Sequence, residues 1–234
     1  MTTYVLRVWL PDRPGALGAV ASRVGAVGAD VIGIDILERG GGRAIDELII
    51  DLPESALVPL LLQEVQEVDG VDVEDIREAT GAALDPRLDA LEAAAALVGA
   101  PSSDVLLDSL CEYAVATLAA DWGAVFSLDG GELYSVLGPA PTTEWLVAFV
   151  EGSRSSARLG GEGAKPDDVV WAALASAGYA LVLGREGRPF RARERREVSA
   201  LARIVDTRFR SLRWTEARSA HPSSGQRSRV GQPG

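Results

Sequence analysis

Apolar and polar positions alternate along residues 4–10, with Leu6, Val8 and Leu10 on one face and Val5, Arg7 and Trp9 on the other. That pattern predicts a strand covered on one side. From Leu17 the period changes: Leu17, Val20, Val24 and Val27 recur at helical spacing until Gly28 ends the run. Alternation returns at Ile32, Ile34 and Ile36 and again at Leu48, Ile50 and Leu52, on either side of Gly40-Gly41-Gly42. Flanking strands and the lack of a following helix make the triple glycine a hairpin tip and not a phosphate loop. Ser55 is placed to cap a second helix with Leu57, Leu60, Leu61, Val65 and Val68 as its apolar face, and residues 71–76 supply a fourth strand. The predicted order is βαββαβ, the split arrangement of ferredoxin-like folds.

Between the first strand and the first helix, the prolines and glycine of Pro11-Asp12-Arg13-Pro14-Gly15 allow neither element to continue. The amides of Gly15, Ala16 and Leu17 then open the helix with no side chain crowding its entrance. Free amides at a positive helix end suit a carboxylate. A turn of this kind is equally a common structural device.

The residues Asp12-Arg13-Pro14-Gly15-Ala16-Leu17, the helix end at residues 24–30 and the strand at residues 31–36 together resemble the ACT domain. That family is a small regulatory module that binds amino acids in many metabolic enzymes and sensors, and the resemblance covers residues 3–79. It implies an effector site where the loop after the first strand meets the start of the second, often across a dimer interface. Carried over, the site residues are Asp12, Arg13, Pro14, Gly15, Ala16, Leu17 and Asp30. The family often has Asn at the position of Asp30. An Asp there could pair with an ammonium group or repel a carboxylate, and a solvated junction residue is an equal reading.

A first boundary is expected at residues 79–86. A helix over 86–98 follows, with Leu84, Leu88, Leu91, Ala95 and Val98 in heptad spacing, too short for a coiled coil and expected to pack on the next domain or on a second copy. Further on come a helix over 104–119, a hairpin around Asp129-Gly130-Gly131, a helix from Thr142 or Thr143, a polar loop over 153–167, a strand pair around residues 176–178, and a long helix bearing Val198, Leu201, Val205, Phe209 and Leu212. This second half resembles a GAF domain, a sensory fold with an antiparallel sheet between helices, in which the first and last helices often associate between subunits. The expected protein is therefore α+β, with an N-terminal ferredoxin-like βαββαβ (ACT) domain over 1–79 and a linker helix over 80–100. A GAF-like antiparallel sheet with flanking helices spans 101–214, and a disordered tail spans 215–234.

Composition narrows the chemistry. The 234 residues include one Lys, one Cys and one His, and 47% are hydrophobic. His221 lies in a polar tail, which leaves no imidazole inside the predicted domains for general-base work, and no nucleophile elbow, P-loop or metal-helix motif occurs. Cys111 sits in an apolar helical stretch as an inert buried thiol. The acidic positions Glu64, Glu67, Asp69, Asp72, Glu74 and Asp75 are read as a solvated face rather than a metal site. No catalytic residue, cofactor or metal is expected. Residues 185–234 carry net charge +8 against −19 for the rest. Arg193, Arg195, Arg196, Arg203 and Arg210 are placed on the solvated side of the last helix, and no DNA-reading motif accompanies them.

These features predict a cytoplasmic, non-enzymatic, homodimeric regulator that binds a small-molecule effector, an amino acid, with no membrane span and no nucleic-acid partner. The alternative is an interaction subunit whose Arg-rich C-terminal helix engages a protein or nucleic acid.

Overall fold

The computed structural model describes residues 1–79, 85–158 and 167–220. In the first half, β1 (Thr2–Pro11), α1 (Ala16–Ala26), β2 (Asp30–Gly40), β3 (Arg43–Leu52), α2 (Val58–Gln66) and β4 (Asp72–Glu78) follow in the predicted βαββαβ order. The strands form an antiparallel sheet in the order β2-β3-β1-β4. Leu6, Val8 and Leu10 of β1 meet Val20 and Val24 of α1 and Leu61 and Val65 of α2 in one core, so the helical and alternating stripes converge on one sheet face. The expected cap at Ser55 does not form. Residues 55–57 make a single 3-10 turn, and the helix starts at Val58 with Pro59 in its first turn, where a missing N–H costs nothing.

The second half contains α3 (Pro86–Gly99), α4 (Ser103–Thr117), β5 (Trp122–Ser127), β6 (Leu133–Leu137), α5 (Thr143–Arg158), β7 (Val169–Leu174), β8 (Tyr179–Gly184) and α6 (Ala192–Ala220). Its antiparallel sheet has the order β6-β5-β8-β7. On one face Val125, Leu181 and Leu183 pack against Leu106, Leu107 and Leu110 of α4 and against Val198, Val205 and Phe209 of α6. On the other, Phe126 and Val182 pack against Leu146 and Val150 of α5. Asp85 caps α3 through Leu88 N–H at 3.1 Å, and Ser102 caps α4.

The expected heptad seam turns out to face outward. Helix α3 buries Ala93 and Leu97 against the second core, whereas Leu88, Leu91 and Val98 are half or more exposed. Helix α5 runs through residues 153–158, which the sequence placed in a loop, and α6 continues through residues 215–220, placed in the tail. The rest of both segments, and Leu84, lie outside the described residues. Among the described residues no helix is long and apolar enough to cross a membrane.

Strand β1 departs most from its sequence reading. It is buried on both faces, with Val5 and Arg7 at 3% and 2% exposure, because the start of α6 and the turn before it lie against the face expected to meet solvent.

Candidate functional site

The loop between β1 and α1 is fixed from both ends. Asp12 N–H donates to the Gly42 carbonyl at 2.9 Å, tying the loop to the tip of the β2–β3 hairpin, and Arg13 N–H donates to Pro11 O at 2.8 Å. Gly15 follows as the N-cap residue of α1 with φ +88°, a left-handed conformation that costs an L side chain energy even where space is open. A Cβ built there would meet nothing within 4 Å. No side chain caps α1. Ala16 N–H is used by Arg13 O at 3.3 Å, and among the described residues no acceptor reaches the amides of Gly15, Leu17 and Gly18. The entrance therefore keeps unsatisfied donors at the positive end of a helix, with Asp12, Arg13, Pro14 and Gly15 exposed, Leu17 half-buried and Ala16 buried.

Asp30 is not brought to this entrance within one chain. It opens β2 opposite Asp51, which pairs with Thr3 near the start of β1, while the entrance loop leaves Pro11 at the far end, opposite Arg43. From Thr3 to Pro11 the strand extends about 26 Å at roughly 3.3 Å per residue. Asp30 is exposed at its own end of the sheet.

A different carboxylate lies at the entrance end. Asp46 is 3% exposed and stands opposite Val8 of β1 and Ile36 of β2, on the face that carries Ala44, Leu48 and the α1–α2 core. Its Oδ1 has no hydrogen-bond partner. Burial pushes its pKa up, and Asp12 adds to the rise while Arg39 opposes it. The Arg39 guanidinium is spent on Asp12, with Nε 4.0 Å from its Oδ1. The sequence carried a signal for this residue that hydrophobic counting passes over, since Asp46 occupies the inward register of Ala44, Asp46, Leu48 and Ile50.

The opposite face of β1 holds a charged junction with the second half. Arg7 reaches Glu47 at 2.7 Å, Glu194 at 3.0 Å and the Pro189 carbonyl at 3.2 Å. Glu194 lies in the first turn of α6 and accepts from Arg191 N–H at 2.7 Å, closing the helix start in the manner of a capping box, while Arg185 meets the same carboxylate at 2.8 Å. Arg191 pairs with Glu74 and lies over the Trp9 ring at 4.9 Å, and Trp9 Nε1–H donates to Glu74 at 2.6 Å. Its neighbouring carboxylates hold Arg7 firmly protonated despite its burial. The cleft beside this junction, lined by Asp35, Glu47, Arg77, Thr117, Arg193 and Glu197, encloses about 60 Å³. That is room for water and not for a metabolite.

Several charged positions differ from their sequence reading. Glu74 is a half-buried partner of the junction, and Glu64, Glu67, Asp72 and Asp75 are paired with Arg23, Arg43 or Arg77 rather than simply solvated. Arg193 pairs with Asp35 of the first half, and Arg195 donates to the carbonyls of Phe190 and Asp167. Of the five arginines expected on the solvated side of this helix, Arg196, Arg203 and Arg210 are exposed, whereas Arg193 and Arg195 are half-buried. Cys111 is buried, with its thiol pushed up to about 11 by desolvation. Among the described residues no cluster of three or more metal-ligating side chains occurs.

The first half thus combines the strand order β2-β3-β1-β4, both helices on one face, and a proline-flanked entrance with a left-handed glycine. The family model for the ACT domain matches residues 4–70. The N-terminal unit is an ACT domain. Among solved structures, the ACT domain from a GTP pyrophosphokinase of Chlorobium tepidum is 14% identical and covers 33% of this chain and 97% of its own, with a TM-score of 0.28. An unknown protein from Galdieria sulphuraria is 14% identical over 92% of this chain and 94% of its own, with a TM-score of 0.33. A putative glycine cleavage system transcriptional repressor is 13% identical over 88% of this chain and 92% of its own, with a TM-score of 0.27. Likeness at this level transfers no function. No curated protein matches the chain.

Proposed function

We propose that this chain is a non-enzymatic, cytoplasmic regulatory protein whose ACT domain binds an α-amino acid at the entrance of α1. The carrying observation is the set of unpartnered amides at Gly15, Leu17 and Gly18, held open by the left-handed Gly15 and by the tie from Asp12 to the hairpin tip. Such a helix end stabilises a carboxylate through both its N–H groups and its dipole. Asp12, Arg13 and Pro14 shape the rim, and Ala16 anchors the first turn in the core.

The reading includes a homodimer. Strand β2 is a sheet edge, and Ile32, Ile34 and Ile36 on it are 50%, 40% and 39% exposed, an apolar edge of the kind that natural proteins rarely leave unpaired. Antiparallel pairing of β2 with the β2 of a second copy sets Asp30 of one chain beside the Gly40 end of the other, where that chain's entrance lies. Only in this way can Asp30 belong to the site. The outward seam of α3 and the groove it forms with α6, about 710 Å³ between Val98, Ala200, Ile204 and Thr207, offer a second contact for the same assembly.

We read the second half as a GAF-like module that receives the signal; its four-stranded sheet between helical layers supports that reading. The buried contact of Arg7 with Glu194 supports a direct route from an inner strand of the ACT sheet to the start of α6.

Thermal denaturation of the full chain with each proteinogenic amino acid, and with common nucleotides as controls, tests the proposal. One amino acid at about a hundred times its Kd should add about 2.7 kcal/mol of stability, and nucleotides should add none. If no amino acid moves the transition, the proposal fails.

A further inference from the structure

The reading above seats the carboxylate of an amino acid and leaves its ammonium group without a partner in the same chain. We propose that Asp46 is that partner, so that one chain carries a complete zwitterion site in which the α1 amides take the carboxylate and the buried Asp46 takes the ammonium. This rests on the proposed reading of the entrance and deepens it.

Three observations support the assignment. First, Asp46 lies on the correct face and at the correct end. It stands on the helix side of the sheet, opposite Val8 and one inward position beyond the Leu10–Ala44 pair, and its carboxyl feels the charges of Arg39 and of Asp12, the residue at the start of the entrance loop. Second, the carboxylate is unpaid within the protein: it is 97% buried and nothing donates to its Oδ1. Buried carboxylates in folded proteins are normally paired or hydrogen-bonded, because an isolated one loses its hydration without return. Third, the cation that acts on Asp46 does so from the rim. Arg39 is 59% exposed, with its Nε 4.0 Å from Asp12, and its attraction only partly offsets the cost of burying Asp46.

A primary ammonium supplies what is missing, namely donors for an unfilled acceptor and a charge opposite to that of Asp46. The same molecule must present an anion to the three free amides. An α-amino acid carries both groups on one carbon. A plain carboxylic acid fills the amides and brings its own negative charge towards Asp46 unrelieved, and a plain amine leaves the amides empty.

Titration calorimetry on the full chain separates this proposal from the reading beneath it. The probes are the proteinogenic amino acid that stabilises the chain most and the carboxylic acid that differs from it only by lacking the amino group. In the wild type the amino acid should bind about tenfold or more tighter than the acid, as a charge-assisted hydrogen bond requires. Asp46→Asn should erase that preference, weakening the amino acid and not the acid. Asp30→Ala should leave the preference in place. Asp46→Ala, which removes the side chain's polar end altogether, must repeat the pattern and covers the case that the amide variant folds poorly. An amino acid that binds Asp46→Asn as tightly as the wild type overturns the assignment and leaves the entrance reading standing, as does loss of the preference on Asp30→Ala alone. A wild type that binds neither probe overturns both.

Discussion

Two polar regions lie on opposite faces of β1, and they treat buried charge in opposite ways. At the junction, Arg7, Glu194 and Arg185 are buried and Glu47 is half-buried, and each charge meets an opposite one although Glu74 Oε1 accepts and Arg191 Nε donates no hydrogen bond, with Glu194 also closing the first turn of α6. At the entrance of α1, three amides have no acceptor and Asp46 is buried with an orphaned oxygen. A network in which every charge faces an opposite one fixes one arrangement of two sheets and has little capacity for a further charged ligand. An open set of donors beside an unpaired carboxylate costs stability and gains it back when a molecule of matching charge arrives. The difference separates a structural use of charge from a recognitive one.

The comparison can be broken most severely at the junction. Arg7→Ala removes one of the two guanidinium groups that hold Glu194 and leaves Arg185 as the other, and breaking a buried ion network by removing one partner costs up to about 3–5 kcal/mol. Chemical denaturation should show that loss, and limited proteolysis should show the two halves separating. A change below about 1 kcal/mol, the size of an exposed pair, would mean that the network is solvated in practice. Next in size is the edge strand. Ile34→Asp combined with Ile36→Lys should turn a dimer into a monomer by light scattering at micromolar concentration, and a wild type that is already monomeric removes Asp30 from the site.

Smaller effects sharpen the contrast at the entrance. Asp46→Asn should raise the stability of the unliganded chain by about 1 kcal/mol, since it removes an unpaired buried charge, whereas a structural carboxylate would lower it. The pH dependence follows in sign. The pKa of Asp46 is raised in the folded state, so between the unfolded value and that raised value the native protein binds more protons than the unfolded chain, and its stability rises as pH falls through the raised value towards the ordinary carboxylate range. The advantage of Asp46→Asn should therefore be greatest at neutral pH and shrink on acidification. Smallest of all, Gly15→Ala should cost about 1 kcal/mol through its left-handed backbone alone, because a methyl group there meets no neighbour.

Much of the first half could be read from periodicity, because its apolar stripes are local and each stripe has its partner in the same βαββαβ unit. The entrance loop was equally visible, since two prolines and a glycine between a strand and a helix constrain the backbone directly. Arg7 was misplaced for a physical reason. Alternation tells which residues share a face and is silent about what covers the second face, and α6 arrives from residues nearly two hundred positions away. Asp30 was assigned to the site by likeness, and only the register of β2 with β3 shows that it sits at the far end of the sheet. The outward seam of α3 shows the same limit, because heptad spacing selects a stripe without saying whether a core or a second copy will meet it.

The central claim is that the α1 amides hold the carboxylate of an amino acid, and amide-resolved NMR of the full chain during titration with the stabilising amino acid tests it most directly. The account predicts saturable shifts at Gly15, Leu17 and Gly18, with Gly123 and Gly184 of the second sheet unmoved. Shifts confined to the second half, or an entrance that stays unchanged while the protein is stabilised, would contradict it.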